Sequence, residues 1–238
     1  MKSSLGEIAR NKEAWSPVPR VVTPGASPGE APSDALILFD GENGAEWVSA
    51  DHPDQPAQWK VEDGLLTVDK KAGNIQTRRS FTDFQLHLEW SVPVTITGTG
   101  QQRGNSGLFL GSTGPDNAGY EIQILDSFNN PTYVNGMAGS LYKQAIPLVN
   151  PSHPPGDWQV YDVIWTAPRF GPDGLLSNPA RVTLLYNGVL VLYHAEVQGE
   201  TSLPYPVYQK HGPLPIMLQA HKDPSEPISF RNIWIREL

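Results

Sequence analysis

The sequence predicts an all-β protein that folds as a jelly-roll sandwich of two antiparallel sheets. From residue 35 onward, short runs of strand character follow one another between turn signals. The 23 prolines and 22 glycines are scattered between these runs without a fixed period. No repeat of about 20 to 50 residues is visible, which disfavours a propeller or a solenoid. With 39% hydrophobic residues, the 238-residue chain holds enough apolar material for one large sandwich domain.

The first part of the chain differs in composition from the rest. Residues 16–34 (SPVPRVVTPGASPGEAPSD) are rich in Pro, Ser, Gly and Ala, and their apolar residues follow neither a helix nor a strand period. Residues 5–15 could form a short helix. We therefore expect an irregular N-terminal arm over residues 1–34 and the jelly-roll domain over residues 35–238.

The strands of the domain are expected in a definite order: 35–39, 57–68, 83–92, 106–112, 119–126, 158–167, 181–197, 215–221 and 228–238. Two of these ranges contain hairpins. In 181–197, Asn187-Gly188 supplies the two positive φ angles of a type I′ turn, and the run 59–68 is broken at Glu62-Asp63-Gly64. In Phe84–Trp90 apolar and polar residues alternate strictly, which indicates one face in the core and one in water. Long loops at 127–157 and 198–214 suit the variable part of a binding site.

Charge and composition exclude several classes of function. The formal net charge of −8 argues against nucleic acid, which needs a clustered basic surface. No stretch approaches the roughly 20 apolar residues that span a bilayer, so we expect no membrane insertion. The absence of cysteine excludes disulfides and thiolate chemistry. Phosphate-loop, dinucleotide-binding, zinc-protease and serine-hydrolase motifs are also absent from the sequence.

The segment Tyr120–Asp126 (YEIQILD) is the most informative candidate for chemistry. On a regular strand Glu121 and Gln123 project together from one face, and a bulge near Leu125 would return Asp126 to that face. The spacing resembles the E-x-D-x-x-E strand of retaining glucanases with a concanavalin-like jelly roll. Gln123 and Asp126 depart from that pattern, which weakens a mechanism based on two carboxyls about 5 to 5.5 Å apart. The alternative is that these residues make solvated cross-strand hydrogen bonds.

The C-terminal strands add two further candidates. Gln219 and His221 lie two residues apart and are expected on one strand face, where a histidine could act as a general base or as a metal ligand. A structural role is equally open for His221. Arg231 could bind a carboxylate group or hold Glu121 or Asp126 in place, and we favour the structural role.

The middle of the chain supplies the remaining candidates. Asn105 follows a glycine-rich loop and could bond sugar hydroxyls, although a role in the turn is the simpler interpretation. Glu89 lies on the polar face of its strand, where a lone glutamate is more often solvated than catalytic. It becomes a stronger candidate for the site only if it neighbours Glu121. Tyr142, with Tyr133 and Trp158, lies in or beside the long loop and could stack on a sugar ring.

In combination, these residues resemble the 3-keto-disaccharide hydrolase family, long known as a domain of unknown function. The similar elements run in order across residues 38–238: Leu38-Phe39-Asp40-Gly41 with Trp47, Trp59 with Asp63-Gly64, Asp83-Phe84 with Glu89-Trp90, Asn105-Ser106-Gly107, Tyr120–Asp126, Gly139 with Leu141-Tyr142, Gly156-Asp157-Trp158, Asn187-Gly188, Leu218-Gln219 with His221, and Phe230-Arg231-Asn232-Ile233. Residues 15–25 also resemble the arm of exported members.

The resemblance implies a concanavalin-like, lectin-like jelly roll in an exported bacterial protein that acts on glycosides oxidised at C3 of the sugar. The location would be periplasmic or extracellular, with a signal peptide already removed. A 3-keto group acidifies the proton at C2, so a base can remove it and the C1 substituent can leave by elimination, followed by hydration. This route needs a base, an acid and an electrophile for the enolate, but no retaining carboxylate pair.

The resemblance also implies roles at matching positions. Glu121 and His221 become the acid and base candidates. Several polar residues would orient the sugar or bind a divalent metal ion, namely Glu89, Asn105, Gln123, Asp126 and Gln219.

Three functions are therefore weighed: an enzyme that cleaves 3-keto-glycosides at the concave sheet face by hydrolysis or elimination, a carbohydrate-binding module without activity, and a retaining glucanase. The expected partner is a carbohydrate in each case. The sequence carries no signal for an oligomeric state.

Overall fold

The computed structural model of the chain describes residues 12–238. The chain divides into two units between Asp34 and Ala35. Residues 12–34 contain no regular element, and within them Arg20 forms an ion pair with Asp34. The first part of the short helix expected at 5–15 lies outside the described residues, and residues 12–15 are not helical. In residues 12–238, no helix is long and apolar enough to cross a membrane.

The second unit is built from strands. Across the described residues these are β1 (Leu36–Phe39), β2 (Trp47–Ser49), β3 (Lys60–Glu62), β4 (Leu65–Thr67), β5 (Ile75–Phe81), β6 (Phe84–Ser91), β7 (Asn105–Gly114), β8 (Ala118–Leu125), β9 (Gln159–Thr166), β10 (Arg169–Phe170), β11 (Leu176–Asn178), β12 (Arg181–Tyr186), β13 (Val189–Glu196), β14 (Leu214–Leu218) and β15 (Ser229–Glu237). Two single-turn 3₁₀ helices, Gly100–Gln102 and Val134–Gly136, lie in loops.

These strands form two large antiparallel sheets and a small ribbon. The eight-stranded sheet has the order β13-β12-β9-β6-β15-β4-β3, with β1 also paired to β15. The five-stranded sheet has the order β2-β5-β14-β7-β8, and β10 pairs with β11 alone. The crossovers between non-consecutive strands are typical of a jelly roll. The structure thus confirms the predicted all-β sandwich.

The core lies between the two sheets and follows from the period-2 alternation of the strands. The inner face of the eight-stranded sheet contributes apolar side chains that are almost fully buried: Phe84, Leu86, Leu88, Trp90, Tyr161, Val163, Trp165, Val182, Leu184, Phe230, Ile233 and Ile235. The five-stranded sheet opposes them with Leu108, Leu110, Tyr120, Ile122, Ile124, Ile216 and Leu218. Because neighbouring side chains on a strand alternate, the residues between these positions face outward.

Both predicted hairpins are confirmed. Asp63 and Gly64 have φ angles of 53° and 77° between β3 and β4. Asn187 and Gly188 have φ angles of 51° and 75° between β12 and β13. A side chain other than that of Asn, Asp or Gly would be strained at these positive φ angles, which explains why these residues occupy the turns.

Strand β5 was not predicted, although it pairs with both β2 and β14 inside the five-stranded sheet. Its sequence IQTRRSF contains three consecutive exposed polar residues, which hide the alternation. Ile75, Thr77 and Phe81 are nevertheless buried. The pairing of β5 with β14 shifts register between Pro215 and Met217. This irregularity lets β5 stay paired although its buried residues do not alternate regularly with exposed ones. Strands β2, β10 and β11 also escaped prediction, because each has only two or three residues.

A hydrogen bond across the core links the two sheets at the strand that carries Glu121. The hydroxyl of Tyr161, on β9, donates to the carbonyl oxygen of Gln123, on β8, at 2.8 Å. Tyr161 is fully buried, and the same carbonyl also accepts the N–H of Gly139. Tyr161 therefore anchors β8 to the opposite sheet through the core.

We expect Tyr161→Phe to destabilise the fold by about 1 kcal/mol, the usual net value of one buried hydrogen bond. Urea unfolding at pH 7 measures this change. Tyr193→Phe is the matched control, because Tyr193 is exposed on β13. An equal effect of the two substitutions would contradict the anchoring role.

Candidate functional site

A polar cleft of about 280 Å³ opens on the outer face of the five-stranded sheet. Strands β7 and β8, the extension of β14 and the two long loops each contribute to its walls. The lining residues are Gln101, Gln102, Asn105, Asp116, Asn117, Glu121, Gln123, Tyr133, Tyr142, Ser202, Gln219 and His221. The cleft thus brings together Glu121, His221, Asn105, Gln123, Tyr142 and Gln219 from the residues that the sequence predicted.

Glu121 is the most buried carboxyl group of the cleft, with 4% of its surface exposed. Its backbone is held by the hydroxyl of Thr201, which accepts the Glu121 N–H, and by Tyr142, whose N–H donates to the Glu121 carbonyl. No described residue donates a hydrogen bond to its carboxyl group. Burial raises the pKa of Glu121 to about 8, although the positive charge of Lys143 acts in the opposite direction. Glu121 therefore carries its proton at neutral pH.

Gly107 on the neighbouring strand creates the space that Glu121 occupies. A Cβ atom built on Gly107 would lie 2.4 Å from Oε1 of Glu121 and 3.0 Å from the ring of Phe109. A Cβ atom at Gly107 would therefore force the carboxyl group of Glu121 away from its observed position. The glycine of the Asn-Ser-Gly sequence at the start of β7 thus leaves room for the Glu121 side chain in its observed position.

Amide groups form a connected chain at the floor of the cleft. Gln123 donates from Nε2 to Oδ1 of Asn105 at 2.9 Å, and Asn105 donates from Nδ2 to the carbonyl oxygen of Gln101. These bonds fix the orientations of Gln123 and Asn105. Gln219 differs, because its Oε1 is buried without a hydrogen-bond partner among residues 12–238. An unpaired buried acceptor favours a ligand hydroxyl or a water at that point.

His221 forms a dyad with Asp223. The Nδ1 atom of His221 lies 3.1 Å from Oδ2 of Asp223, a buried carboxyl group that also accepts hydrogen bonds from Lys70 and Ser225. Burial alone would raise the pKa of Asp223, but the hydrogen bonds from His221, Ser225 and Lys70 outweigh it and lower the pKa to about 2. An ionised carboxylate orients the imidazole and supports its action as a base through Nε2.

Two tyrosines from the long loop close one side of the cleft. The hydroxyls of Tyr133 and Tyr142 lie 2.8 Å apart, and the ammonium group of Lys143 lies 5.0 Å from the Tyr142 ring centroid. Both tyrosines had been predicted as stacking candidates. Trp158, the third candidate, lies instead under the guanidinium of Arg231, 4.0 Å from the ring centroid.

Asp126 does not join Glu121 and Gln123. The pairing of β7 and β8 is regular from Asn105 opposite Leu125 to Phe109 opposite Glu121, so the bulge that would have turned Asp126 outward is not present there. Asp126 is instead buried beside Arg103, whose Nε lies 2.7 Å from Oδ2, and its other oxygen accepts the Phe128 N–H. Burial raises the pKa of Asp126 despite these partners.

Glu89 and Arg231 lie on the outer face of the other sheet. Arg231 donates from Nε to Glu89 at 2.6 Å, and Asn232 donates to the second oxygen at 2.8 Å. Glu89 sits beside His87, which is buried and stacked on the ring of Trp234. Because β6 and β8 belong to different sheets, strict alternation on both strands directs Glu89 and Glu121 to opposite sides of the sandwich.

Several residues of the site were not predicted from the sequence. Asp223 could have been recognised from its spacing of two residues after His221, but Lys70 approaches from a distant loop and has no local signal. Gln101 lies in the glycine-rich loop, whose composition had been assigned to turns. Within residues 12–238, no three side chains of His, Asp or Glu converge closely enough to hold a metal ion.

Comparisons with known proteins agree with this architecture. The model of the 3-keto-alpha-glucoside-1,2-lyase-like domain matches residues 34–236. A protein of Parabacteroides distasonis, described as a candidate glycosyl hydrolase, is 51% identical over 96% of each chain, with a TM-score of 0.88. Two other candidate glycosyl hydrolases of that organism show the same fold. The first is 20% identical with a TM-score of 0.64, over 86% of this chain and 94% of its own. The second is 21% identical with a TM-score of 0.58, over 86% of this chain and 99% of its own. Among curated proteins, none matches the chain.

We expect Gly107→Ala to destabilise the protein by about 1–3 kcal/mol, the usual cost of forcing an extra group into a packed site. Gly114→Ala on the same strand is the control, because a Cβ there meets nothing within 4 Å. Urea unfolding of Gly107→Ala, Glu121→Ala and the double variant measures the coupling between the two sites. The double variant should be more stable than the sum of the single effects predicts, and strict additivity would contradict the contact.

The ionic cluster on the opposite sheet predicts a pH dependence of stability. Burial alone would lower the pKa of His87, but hydrogen bonds and charges from Asp162 and Glu89 outweigh it and raise the pKa to about 9. A histidine with a raised folded-state pKa stabilises the fold fully below pH 6.5, and this contribution disappears as pH rises through 9.

The free energy of unfolding, measured between pH 6 and 9.5, should therefore fall by about 1–3 kcal/mol more in the wild type than in His87→Gln. His153→Gln, which changes an exposed histidine, should keep the wild-type slope. Parallel curves for the wild type and His87→Gln would refute a charged His87.

Proposed function

The chain belongs to the 3-keto-alpha-glucoside-1,2-lyase-like domain family, and from this premise we propose that it cleaves 3-keto-glycosides in the cleft that Glu121 and His221 share. Membership of the family and the likeness to candidate glycosyl hydrolases indicate a glycoside hydrolase or lyase. The oxidised substrate and the roles of individual residues are the finer part of the proposal.

One observation carries the proposal. A carboxyl group that is protonated at neutral pH and a histidine oriented by an ionised aspartate line the same cleft. A neutral carboxylic acid and a histidine held in a fixed orientation in one cleft can take the acid and base roles of a reaction.

In the proposed reaction His221 acts as the base. Its Nε2 takes the proton from C2 of the sugar, and the electron pair of that bond delocalises onto the oxygen of the 3-keto group. Glu121 donates a hydrogen bond to this oxygen as negative charge develops on it. A neutral carboxylic acid in a buried site can stabilise an enolate in this way.

Bond cleavage follows from the enolate. Its electron pair forms the C1–C2 double bond while the 3-keto group is restored, the bond from C1 to the glycosidic oxygen breaks, and the His221 imidazolium returns its proton to the leaving oxygen. The product is an unsaturated keto sugar. Addition of water across C1 and C2 completes a net hydrolysis, so elimination and hydrolysis share the first step.

The remaining polar residues suit sugar binding. The unpaired Oε1 of Gln219 can accept a hydrogen bond from a sugar hydroxyl, and Asn105 and Gln123 are held in fixed orientations by their mutual bond. Tyr142 offers a ring for stacking. A divalent ion and a periplasmic or extracellular location remain parts of the proposal.

The test compares matched glycosides with and without oxidation at C3, incubated with the purified protein with and without a chelator, with products identified by mass spectrometry and NMR. We expect the aglycone to be released from the keto sugars alone. His221→Ala and Glu121→Gln should each reduce the rate by at least about 100-fold. The rate should fall above pH 8, because Glu121 then loses its proton.

His153→Ala and Glu42→Gln are the controls, since both change exposed residues that lie outside the cleft. In D₂O, hydrolysis through the proposed elimination places deuterium at C2, whereas direct displacement does not. Sugar binding without turnover would replace the proposal with a binding module. Turnover of the unoxidised sugars would favour an ordinary glycosidase, and loss of activity with chelator would require a metal ion.

A further inference from the structure

Behind the dyad of His221 and Asp223, oxygen atoms of one loop enclose the ammonium group of Lys70. Its Nζ lies 2.8 Å from the backbone carbonyl oxygen of Asp223, 3.1 Å from Oδ1 of Asp223 and 2.7 Å from the carbonyl oxygen of Ser225. We call these three atoms the oxygen cage. An ammonium group has three N–H donors, and the cage accepts all of them. The arrangement resembles a small cation held by a loop, except that the cation is attached to the chain.

The loop depends on this cation for its internal hydrogen bonds. It connects β14 to β15 without a regular element, and both Asp223 and Ser225 are buried. Oδ1 of Asp223 also accepts the N–H and the hydroxyl of Ser225. The two carbonyl oxygens of the cage have no donor other than Lys70 within residues 12–238. Removal of the ammonium group would therefore leave two buried carbonyl groups without a partner, which is costly.

The segment that carries Lys70 is fixed on both sides of the lysine. On one side, the N–H of Val68 donates to the carbonyl oxygen of Ile228 at 3.0 Å. On the other side, the buried indole of Trp59 donates to the carbonyl oxygen of Gly73 at 2.9 Å. The ammonium group therefore has a defined position to which the loop can fold.

The loop contacts the cleft at two points. Oδ2 of Asp223 lies 3.1 Å from Nδ1 of His221. The hydroxyl oxygen of Ser225 accepts the N–H of Gly104 at 2.9 Å, and Gly104 directly precedes Asn105 on the floor of the cleft. A displacement of the loop would therefore change the orientation of the His221 imidazole.

We propose that Lys70 is a positioning residue for His221, and that its ammonium group is the cation that holds the Asp223–Ser225 loop in place. The inference rests on the proposed role of His221 as the base and adds the group that fixes its orientation. Lys70 does not line the cleft, so it acts on the reaction only through the loop. A catalytic group that is misplaced by about 1 Å can lower the rate about 100-fold, so this indirect role has a measurable effect.

The experiment removes the cation and then supplies another. The values of kcat and KM for a 3-keto-glycoside are measured for the wild type and for Lys70→Ala, with and without methylammonium. We expect kcat of Lys70→Ala to fall about 10- to 100-fold, while KM stays within about threefold of the wild type. Methylammonium should restore kcat by entering the oxygen cage. Tetramethylammonium has the same charge but no N–H donor, so it should not restore kcat.

Two further variants serve as controls. Lys70→Met fills the space with an uncharged chain, so its kcat should fall as well but should not respond to methylammonium. Lys71→Ala removes the exposed neighbouring lysine and should keep the wild-type kcat. An unchanged kcat in Lys70→Ala, or an equal response to both ammonium ions, would overturn the proposal. If Lys70→Ala does not fold, Lys70→Met decides: a lower kcat at unchanged KM supports the role, and a wild-type kcat refutes it.

If the wild type turns over no 3-keto-glycoside, the proposed cleavage fails on its own, and nitrogen-15 NMR of the His221 imidazole still decides the role of Lys70. The signals are assigned by their loss in His221→Ala and are recorded where the ring is neutral. The wild type should show the tautomer with its proton on Nδ1, which donates to Asp223. Lys70→Ala should show a mixture of tautomers that methylammonium reverses. An identical tautomer in both proteins would refute the positioning role.

Discussion

The burial of the Glu121 carboxyl group is the constraint on which the site depends. A charged carboxylate in this position would lose its hydration without gaining a hydrogen bond from any residue in 12–238, so the folded protein holds it as a neutral acid. Gly107 leaves room for the carboxyl group, Thr201 and Tyr142 hold its backbone, and Tyr161 anchors the strand from the core. The rest of the sandwich supplies the rigidity that keeps this unfavourable group in place.

Each outer face of the sandwich carries a histidine beside a carboxylate, but the two histidines differ in how many of their ring nitrogens are bonded. On the eight-stranded sheet His87 is buried, stacked on Trp234 and bonded at both ring nitrogens. Neither nitrogen is therefore available to a ligand, and His87 contributes to the stability of the fold. On the five-stranded sheet, residues 12–238 provide a partner for Nδ1 of His221 but none for its Nε2, and they leave Oε1 of Gln219 buried and unpaired. Groups without partners in the folded protein are those that can bind or transform a ligand.

Local patterns were sufficient to predict the parts of the fold that depend on near neighbours. Strict alternation predicted β6 and β8, and Asn187-Gly188 predicted its hairpin. Alternation also predicted that Glu121 and Gln123 share a face, but the position of Asp126 depended on a bulge that the pairing of β7 and β8 does not contain. Which sheet each strand joins is not encoded locally, so the separation of Glu89 from Glu121 and the approach of Lys70 to Asp223 required the three-dimensional structure.

The charge state of Glu121 links the fold to the proposed chemistry, and it can be measured directly. Carbon-13 NMR of side-chain carboxyl groups, with the Glu121 signal assigned by its loss in Glu121→Gln, gives the pKa in the intact protein. The structure predicts a value of about 8, far above the ordinary 4.5 of a glutamate. A midpoint near 4.5 would mean that Glu121 is ionised at neutral pH, and it would contradict its role as the neutral acid of the cleft.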